Sequence, residues 1–264
     1  MASDKNAEMI KKQFSTFLRS VKRSKRKSVY KNLLENIDSW NGRAFLFGGA
    51  VRDIYFNGKD ARPNDFDVVL IDSEVDGFLE EFKGCQVVRN NFGGFKISFQ
   101  GINVDVWEIE NTWAFRNNKV EYSGIKSILE TTFLNIESIL IELNPKHRKR
   151  EVYYRDFFRS VENEVLDINL KDNPNLELSY SRIIRFSIIH SLSFSSQLIT
   201  WMKENIEHVH LKDVLKKYQA KYGLVESEQI RILEFFDYLK SNYDDEIISN
   251  YFIKNDHFEN FLFS

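Results

Sequence analysis

Two short stretches, Phe47-Gly48-Gly49-Ala50-Val51-Arg52-Asp53 and Asn64-Asp65-Phe66-Asp67-Val68-Val69-Leu70, decide how the rest of the chain is read. The run Ala44-Phe45-Leu46-Phe47 is strand-like, stops at Gly48-Gly49 and leads into a short helix over 51–55. A strand that ends in a glycine pair lets the backbone approach a ligand closely. The free N–H groups of the following helix then face an anion such as a nucleotide triphosphate. Arg52, in the first helical turn, can add charge-assisted bonds to phosphate. Asp65 and Asp67 stand two apart on a predicted strand, so both carboxylates project from one face. Two hard oxygen ligands side by side suit Mg²⁺.

A third carboxylate is expected from another strand, and Asp105 qualifies. Ile102, Val104 and Val106 make 102–107 an apolar strand in which an acid is out of place, because a buried carboxylate without a cation or hydrogen-bonding partner is costly. Three such groups could hold two Mg²⁺ ions about 4 Å apart, one activating a hydroxyl and one gripping a departing pyrophosphate. The spacing alone is cheap, since Glu108/Glu110, Glu162/Glu164 and Glu226/Glu228 share it. The order of strand, glycine pair, acid pair and later acid carries the weight.

Outward from this centre the chain reads as a globular protein. It has 264 residues, 42% hydrophobic and 29% charged, enough for one large domain or two modest ones and unlike a disordered chain. No apolar run approaches the roughly 20 residues that cross a bilayer, and Met1-Ala2-Ser3-Asp4-Lys5 does not open a secretory signal. The single cysteine, Cys85, excludes an intrachain disulfide framework, fits a reducing compartment and is expected to be buried beside Val87 and Val88. A cytoplasmic protein without membrane contact is the expectation. Nothing in the sequence fixes an oligomeric state.

Helical periodicity covers 5–38, and another helical stretch lies near 75–82. Three β-rich runs at 85–89, 94–99 and 102–109, separated by Asn90-Asn91 and Gln100-Gly101, predict antiparallel pairing. Ile128, Leu129, Phe133, Ile136, Ile139, Leu140 and Leu143 mark a helical face that Pro145 ends, and Val152-Tyr153-Tyr154 reads as a strand. After Pro174 the chain reads as helices at about 176–192, 195–208, 211–221, 226–241 and 244–262. The expected fold class is α+β: a basic helical segment over 1–43, a mixed head over 44–165 and a helical domain over 174–264.

The net charge of −2 conceals an asymmetry, with +7 on residues 1–43 and −9 on the rest. Arg19, Lys22, Arg23, Lys25, Arg26, Lys27 and Lys31 concentrate the positive charge. Such a segment can neutralise phosphates. It can equally be the solvated face of a helix whose other side carries Phe14, Phe17, Leu18 and Val21. A second basic run, 146–150, includes His147.

At this point the residues resemble a family. Gly48-Gly49-Ala50-Val51-Arg52-Asp53 with Asp65-Phe66-Asp67 is similar to the head-domain signature of class II tRNA CCA-adding enzymes and bacterial poly(A) polymerases, of the DNA polymerase beta-like nucleotidyltransferases. The resemblance implies Asp65 and Asp67 as metal ligands, Gly48 and Gly49 as phosphate-loop positions, and Arg52 as a structural or phosphate contact. Phe92-Gly93-Gly94-Phe95-Lys96-Ile97 followed by Asn103-Val104-Asp105-Val106-Trp107 resembles the next two strands, with Asp105 as the third carboxylate. Thr132-Phe133-Leu134-Asn135 looks like a degraded Arg-Arg-Asp-Phe-Thr-x-Asn segment, which implies Asn135 at the nucleotide. Arg182-Ile183-Ile184-Arg185-Phe186 resembles the Glu-Asp-x-x-Arg-x-x-Arg neck motif, which implies Arg182 and Arg185 at the base.

Two departures matter. Leu178 and Ser179 stand where the neck motif has its acids, and Glu130-Thr131 where another Arg-Asp pair belongs. The family implies a nucleoside triphosphate as substrate, two Mg²⁺ ions, and transfer of a nucleoside monophosphate to an acceptor hydroxyl at an RNA or tRNA 3′ end. The competing readings are transfer to a protein or small molecule, and a catalytically silent nucleotide- or RNA-binding module.

Overall fold

The computed structural model of the chain describes residues 2–72, 74–90, 93–146, 148–241 and 243–254. Asn91 and Phe92 of the expected hairpin, His147, and the last expected helix beyond Lys254 lie outside the described residues. The chain divides into two compact units, one of residues 1–132 with 137–157, the other of 133–136 with 158–264.

The first unit is built on a seven-stranded mixed sheet. Its strands are β1 (Arg43–Phe47), β2 (Asp65–Ile71), β3 (Gln86–Arg89), β4 (Phe95–Phe99), β5 (Ile102–Glu108), β6 (Ile139–Glu142) and β7 (Val152–Tyr154), in the order β3-β4-β5-β2-β1-β6-β7. Only the β2–β5 pair is parallel; the rest are antiparallel, including the β3–β4–β5 meander that the turn residues predict. Helices α1 (Ala2–Arg23), α2 (Ser28–Ser39), α3 (Gly49–Asn57), α4 (Val75–Glu80) and α5 (Trp113–Arg116) complete the unit.

One sheet face is dry. Phe66, Val68, Leu70, Val104, Val106, Ile97 and Phe99 are buried on it. Tyr30 of α2 stacks near Phe66 (ring centroids 6.1 Å) and against Phe17 of α1 (5.8 Å), while Phe82 meets Phe99 edge-on at 5.7 Å. Helical spacing puts Ile10, Phe14, Phe17 and Val21 on one stripe of α1, and all four are buried. The segment 1–43 is therefore part of the first unit and not a region apart. Lys27 is drawn into that packing too: its ammonium donates to the carbonyls of Lys59 (2.6 Å) and Ala61 (3.1 Å) and to Ser20 Oγ (3.2 Å). Burial lowers its pKa.

Three residues of the basic run 146–150 are similarly committed within the protein. Arg150 donates to the carbonyls of Glu142 and Leu143 and lies over the Phe14 ring at 4.8 Å, and burial lowers its pKa. Arg148 bonds Glu142 and Glu151, and Lys146 bonds the carbonyl of Asp38. Lys27, Arg148 and Arg150 thus have internal partners where the charge pattern alone offered them to phosphates.

The segment 126–143 departs from the expected helix. Ile125–Thr131 forms 3₁₀ turns and Ile139–Glu142 is strand β6, paired with β1 and β7. All four residues of β6 are buried, and a strand covered on both faces loses the alternation that marks it. Cys85 lies just before β3 and is half-buried, not enclosed.

The second unit holds α6 (Phe157–Asn163), the short parallel pair β8 (Val165–Leu166) and β9 (Ser193–Phe194), and helices α7 (Leu176–His190), α8 (Ser196–Asn205), α9 (Leu211–Tyr222), α10 (Glu226–Lys240), α11 (Asp245–Ser249) and α12 (Tyr251–Lys254). The expected helices over 176–241 are present within a few residues. Tyr180 is fully buried between Trp201 (5.7 Å) and Phe236 (5.5 Å). Among the described residues no helix is long and apolar enough to cross a membrane.

Candidate functional site

The other face of the sheet changes character along its strands. Around Val69 and Ile71 it is dry, packed with Phe45, Phe47, Leu140, Phe115, Ile128 and Leu129. Toward the start of β2 it opens, and there the carboxylates lie. Asp65 is exposed, and Asp67 and Asp105 are half-buried. The parallel register pairs Asp67 directly with Asp105, and Asp65 with Asn103. Strand pleating therefore brings the three sequence-predicted aspartates onto one face, on strands about 4.8 Å apart. These carboxylates are not drawn into a closed cage: among the described residues no group of three or more His, Cys, Asp or Glu side chains is arranged to hold a metal ion.

Neighbours on the same face partly neutralise them. Asn103 Nδ2 donates to Asp65 Oδ1 at 3.0 Å. Lys96, the register partner of Asp105 on β4, puts its ammonium 4.0 Å from Asp105 Oδ2, and Asn90 Nδ2 lies 3.5 Å from Oδ1. The motif reading passed over Asn103 and Lys96. Period-two counting from Asp105 would have found Asn103, and hairpin pairing about the Gln100-Gly101 turn would have put Lys96 directly across from Asp105.

Gly48 closes β1 at the end of the sheet where β2 begins, because Phe47 pairs with Asp67. Its φ of +64° favours glycine, and its N–H donates to the carbonyl of Ile139 at 3.0 Å. Gly49 has no such constraint: a Cβ there would meet Arg52 Nη2 at an ordinary 3.7 Å. Arg52 is nearly buried, bonded through Nε and Nη2 to Asp53 Oδ1 (3.1 and 2.8 Å) and 3.8 Å from Glu137 Oε1. These contacts hold Arg52 against its own helix and near Glu137. Trp107 is held by Thr112 Oγ1 at 2.9 Å and packs at the margin of the apolar cluster.

The remaining sequence-predicted residues belong to the second unit. Asn135 is buried there as a clamp: Nδ2 donates to the carbonyl of Val165 (3.1 Å), and Oδ1 accepts from the N–H groups of Ile136 (2.9 Å) and Asp167 (3.0 Å). Three of its four side-chain hydrogen-bonding positions are thus filled by backbone. Arg185 on α7 lies 3.8 Å from Glu228 and over the ring of Tyr222 at 5.5 Å. Arg182 is half-buried on the same helix. Where the neck motif has its acids, Leu178 N–H is capped by Asn175 Oδ1 (3.1 Å), and buried Ser179 bonds the Asn175 carbonyl (2.9 Å). The nearest acid, Glu177, lies 3.9 Å from Lys217.

No family model matches the sequence, and no curated protein matches it. Solved structures do match. The Thermotoga maritima CCA-adding enzyme complexed with tRNA aligns with a TM-score of 0.58 at 18% identity, over 84% of this chain and 54% of that one. A CCA-adding enzyme with CTP gives 0.58 and 18% over 94% and 62%, and an apo tRNA-processing enzyme 0.58 and 15% over 85% and 62%. The chain thus spans between 54% and 62% of the length of these structures. It has their α+β fold, as the resemblance of its motifs led one to expect.

Proposed function

We propose that the chain is a nucleotidyltransferase that moves a nucleoside monophosphate from a nucleoside triphosphate to an acceptor hydroxyl and releases pyrophosphate. The observation that carries this reading is the alignment of Asp65, Asp67 and Asp105 on the open part of one sheet face, beside the Gly48 turn. The side chains are not gathered around one point, but the donor chemistry of the set, carboxylate oxygens on two adjacent strands, is the hard-oxygen kind that Mg²⁺ takes together with substrate phosphates and water. Asp65, Asp67 and Asp105 would hold it, and the metal would supply activation of the hydroxyl and charge stabilisation at the departing pyrophosphate. Asn103 orients Asp65, and Gly48 turns the chain so that the N-terminus of α3 begins beside the carboxylates.

The acceptor we propose is an RNA 3′ end, tRNA included. The structural relatives complexed with tRNA and with CTP support this reading, and exposed Lys22, Arg23 and Lys25 are placed to meet a backbone. Ordered CCA synthesis is not part of the proposal. An arginine only donates, so Arg182 and Arg185 can bond acceptor atoms of a base but cannot receive from an exocyclic amine. Leu178 and Ser179 supply no carboxylate in its place. The enzyme should therefore add one kind of nucleotide or discriminate loosely.

The test incubates the protein with Mg²⁺, all four nucleoside triphosphates with one of them labelled in turn, tRNA lacking its CCA end, and cell protein, and sequences the RNA ends. Label on RNA with non-CCA ends is the expected result. Label on protein moves the acceptor to the competing class, a uniform CCA end restores ordered synthesis, and no transfer overturns the enzyme reading.

A further inference from the structure

We propose that Lys96 is a positioning residue of the carboxylate site. Its ammonium serves as the counter-cation of Asp105 until a divalent cation takes the carboxylates, and then serves the phosphate oxygens of the nucleoside triphosphate. The proposal rests on the nucleotidyltransferase reading and adds a residue to which the motif reading gave no role.

The geometry behind it is set by backbone before any side-chain rotamer is chosen. Lys96 and Asp105 are register partners across the antiparallel β4–β5 pair, so their Cβ atoms stand about 5 Å apart on the same face. Along β4 the alternation is strict: Ile97 and Phe99 are buried on the dry face, whereas Lys96 and Ser98 are exposed on the open one. The register therefore starts a lysine here on the face of the site. Its ammonium lies 4.0 Å from Asp105 Oδ2 while its side chain keeps 46% exposure. That is a long, solvated ion pair with little net strength. A divalent ion bound to the same carboxylate replaces it easily, since ammonium and metal repel each other across Asp105. Once displaced, the long flexible stem leaves three donors on a face where Asp65, Asp67 and Asp105 are acceptor-only. The chemistry they fit is a polyphosphate, which brings its own anionic oxygens to the metal.

Two opposite shifts distinguish this role from a merely structural one. In calorimetric titration with MnCl₂ alone at low salt, Lys96→Met should bind Mn²⁺ about fivefold tighter than wild type, because one repelling charge is gone. In the presence of saturating Mn²⁺, the same variant should bind a non-hydrolysable ATP analogue about fivefold more weakly. Lys96→Arg, which keeps the charge, should return both affinities toward wild type. Equal Mn²⁺ affinity in wild type and Lys96→Met overturns the counter-cation role alone. Tighter Mn²⁺ with unchanged nucleotide affinity overturns the phosphate role. No Mn²⁺ binding by any of the three proteins overturns the carboxylate site itself, and with it the proposal.

Discussion

Along β2, consecutive residues enter two different environments. Phe66, Val68 and Leu70 face the side covered by α1 and α2, with an aromatic ring as near as 6.1 Å to Phe66. Asp65 and Asp67 face the other side, where the apolar cover stops short of them. β5 repeats the pattern, with Val104 and Val106 buried and Asn103 and Asp105 half-buried. One face is buried along its length, and the other, past its own apolar cluster, carries polar groups in the open part. Because the strand period is two, the two faces can be altered one at a time.

The sharpest way to break this comparison is at the carboxylates. Asp67→Asn should cut nucleotide transfer by roughly a thousandfold or more, while the melting temperature stays close to that of wild type. Unfolding of this variant would mean that both faces are structural. The reverse experiment is Phe66→Ala on the dry face. It should cost about 3–5 kcal/mol in a urea titration and leave turnover per folded molecule nearly unchanged.

A smaller effect is expected at the β6–β7 edge. There burial opposes ionisation of Glu151, but the Tyr153 hydroxyl, Arg43 and Arg148 together hold its carboxyl below the usual value. A depressed folded pKa contributes stability that is present above about pH 4.5 and lost as pH falls through the folded value. Glu151→Gln should therefore cost less than about 1 kcal/mol at pH 7, since the pair is partly solvated. The difference from wild type should vanish in acid melts; one that persists there would remove the charge from the explanation.

Smallest in stability is the exposed basic end of α1. Replacing Lys22, Arg23 and Lys25 together by glutamine should change stability by less than about 0.5 kcal/mol. If these residues meet RNA, the log–log salt dependence of binding should flatten by about 0.7 per lost single-strand phosphate contact. An unchanged slope would make them a solvated helix face.

The reach of sequence reading followed how much each residue's type reveals its surroundings. Strands β1, β2, β4 and β5 were legible because glycine pairs and alternating apolar residues bracket them, and with them came the placement of Asp65, Asp67 and Asp105 on strands. β6 was not legible: Ile139, Leu140 and Ile141 are buried whichever way they point, and Ile136 and Leu143 completed a false helical spacing. Charge misled in the opposite direction. Lys27 and Arg150 look like surface cations in one dimension, yet carbonyls from distant turns accept their protons. Asn135 matched a motif position, but its bonds to Val165 and Asp167 depend on a fold partner some 30 residues away that no local pattern announces.

Residues 133–136 belong with the helical unit, although the chain returns to the sheet for 137–157 before leaving it finally. No single cut in the gene therefore separates the two units. A fragment ending at 157 would carry Phe133, Leu134 and Ile136, all buried in the intact chain, without the residues that enclose them. One beginning at 158 would lose the Asn135 clamp on Val165 and Asp167. For recombination this is a lock. A crossover that swapped the helical unit for another would have to replace four residues embedded in the other unit's stretch of sequence as well, so the two are inherited as one piece even though they pack as two compact units.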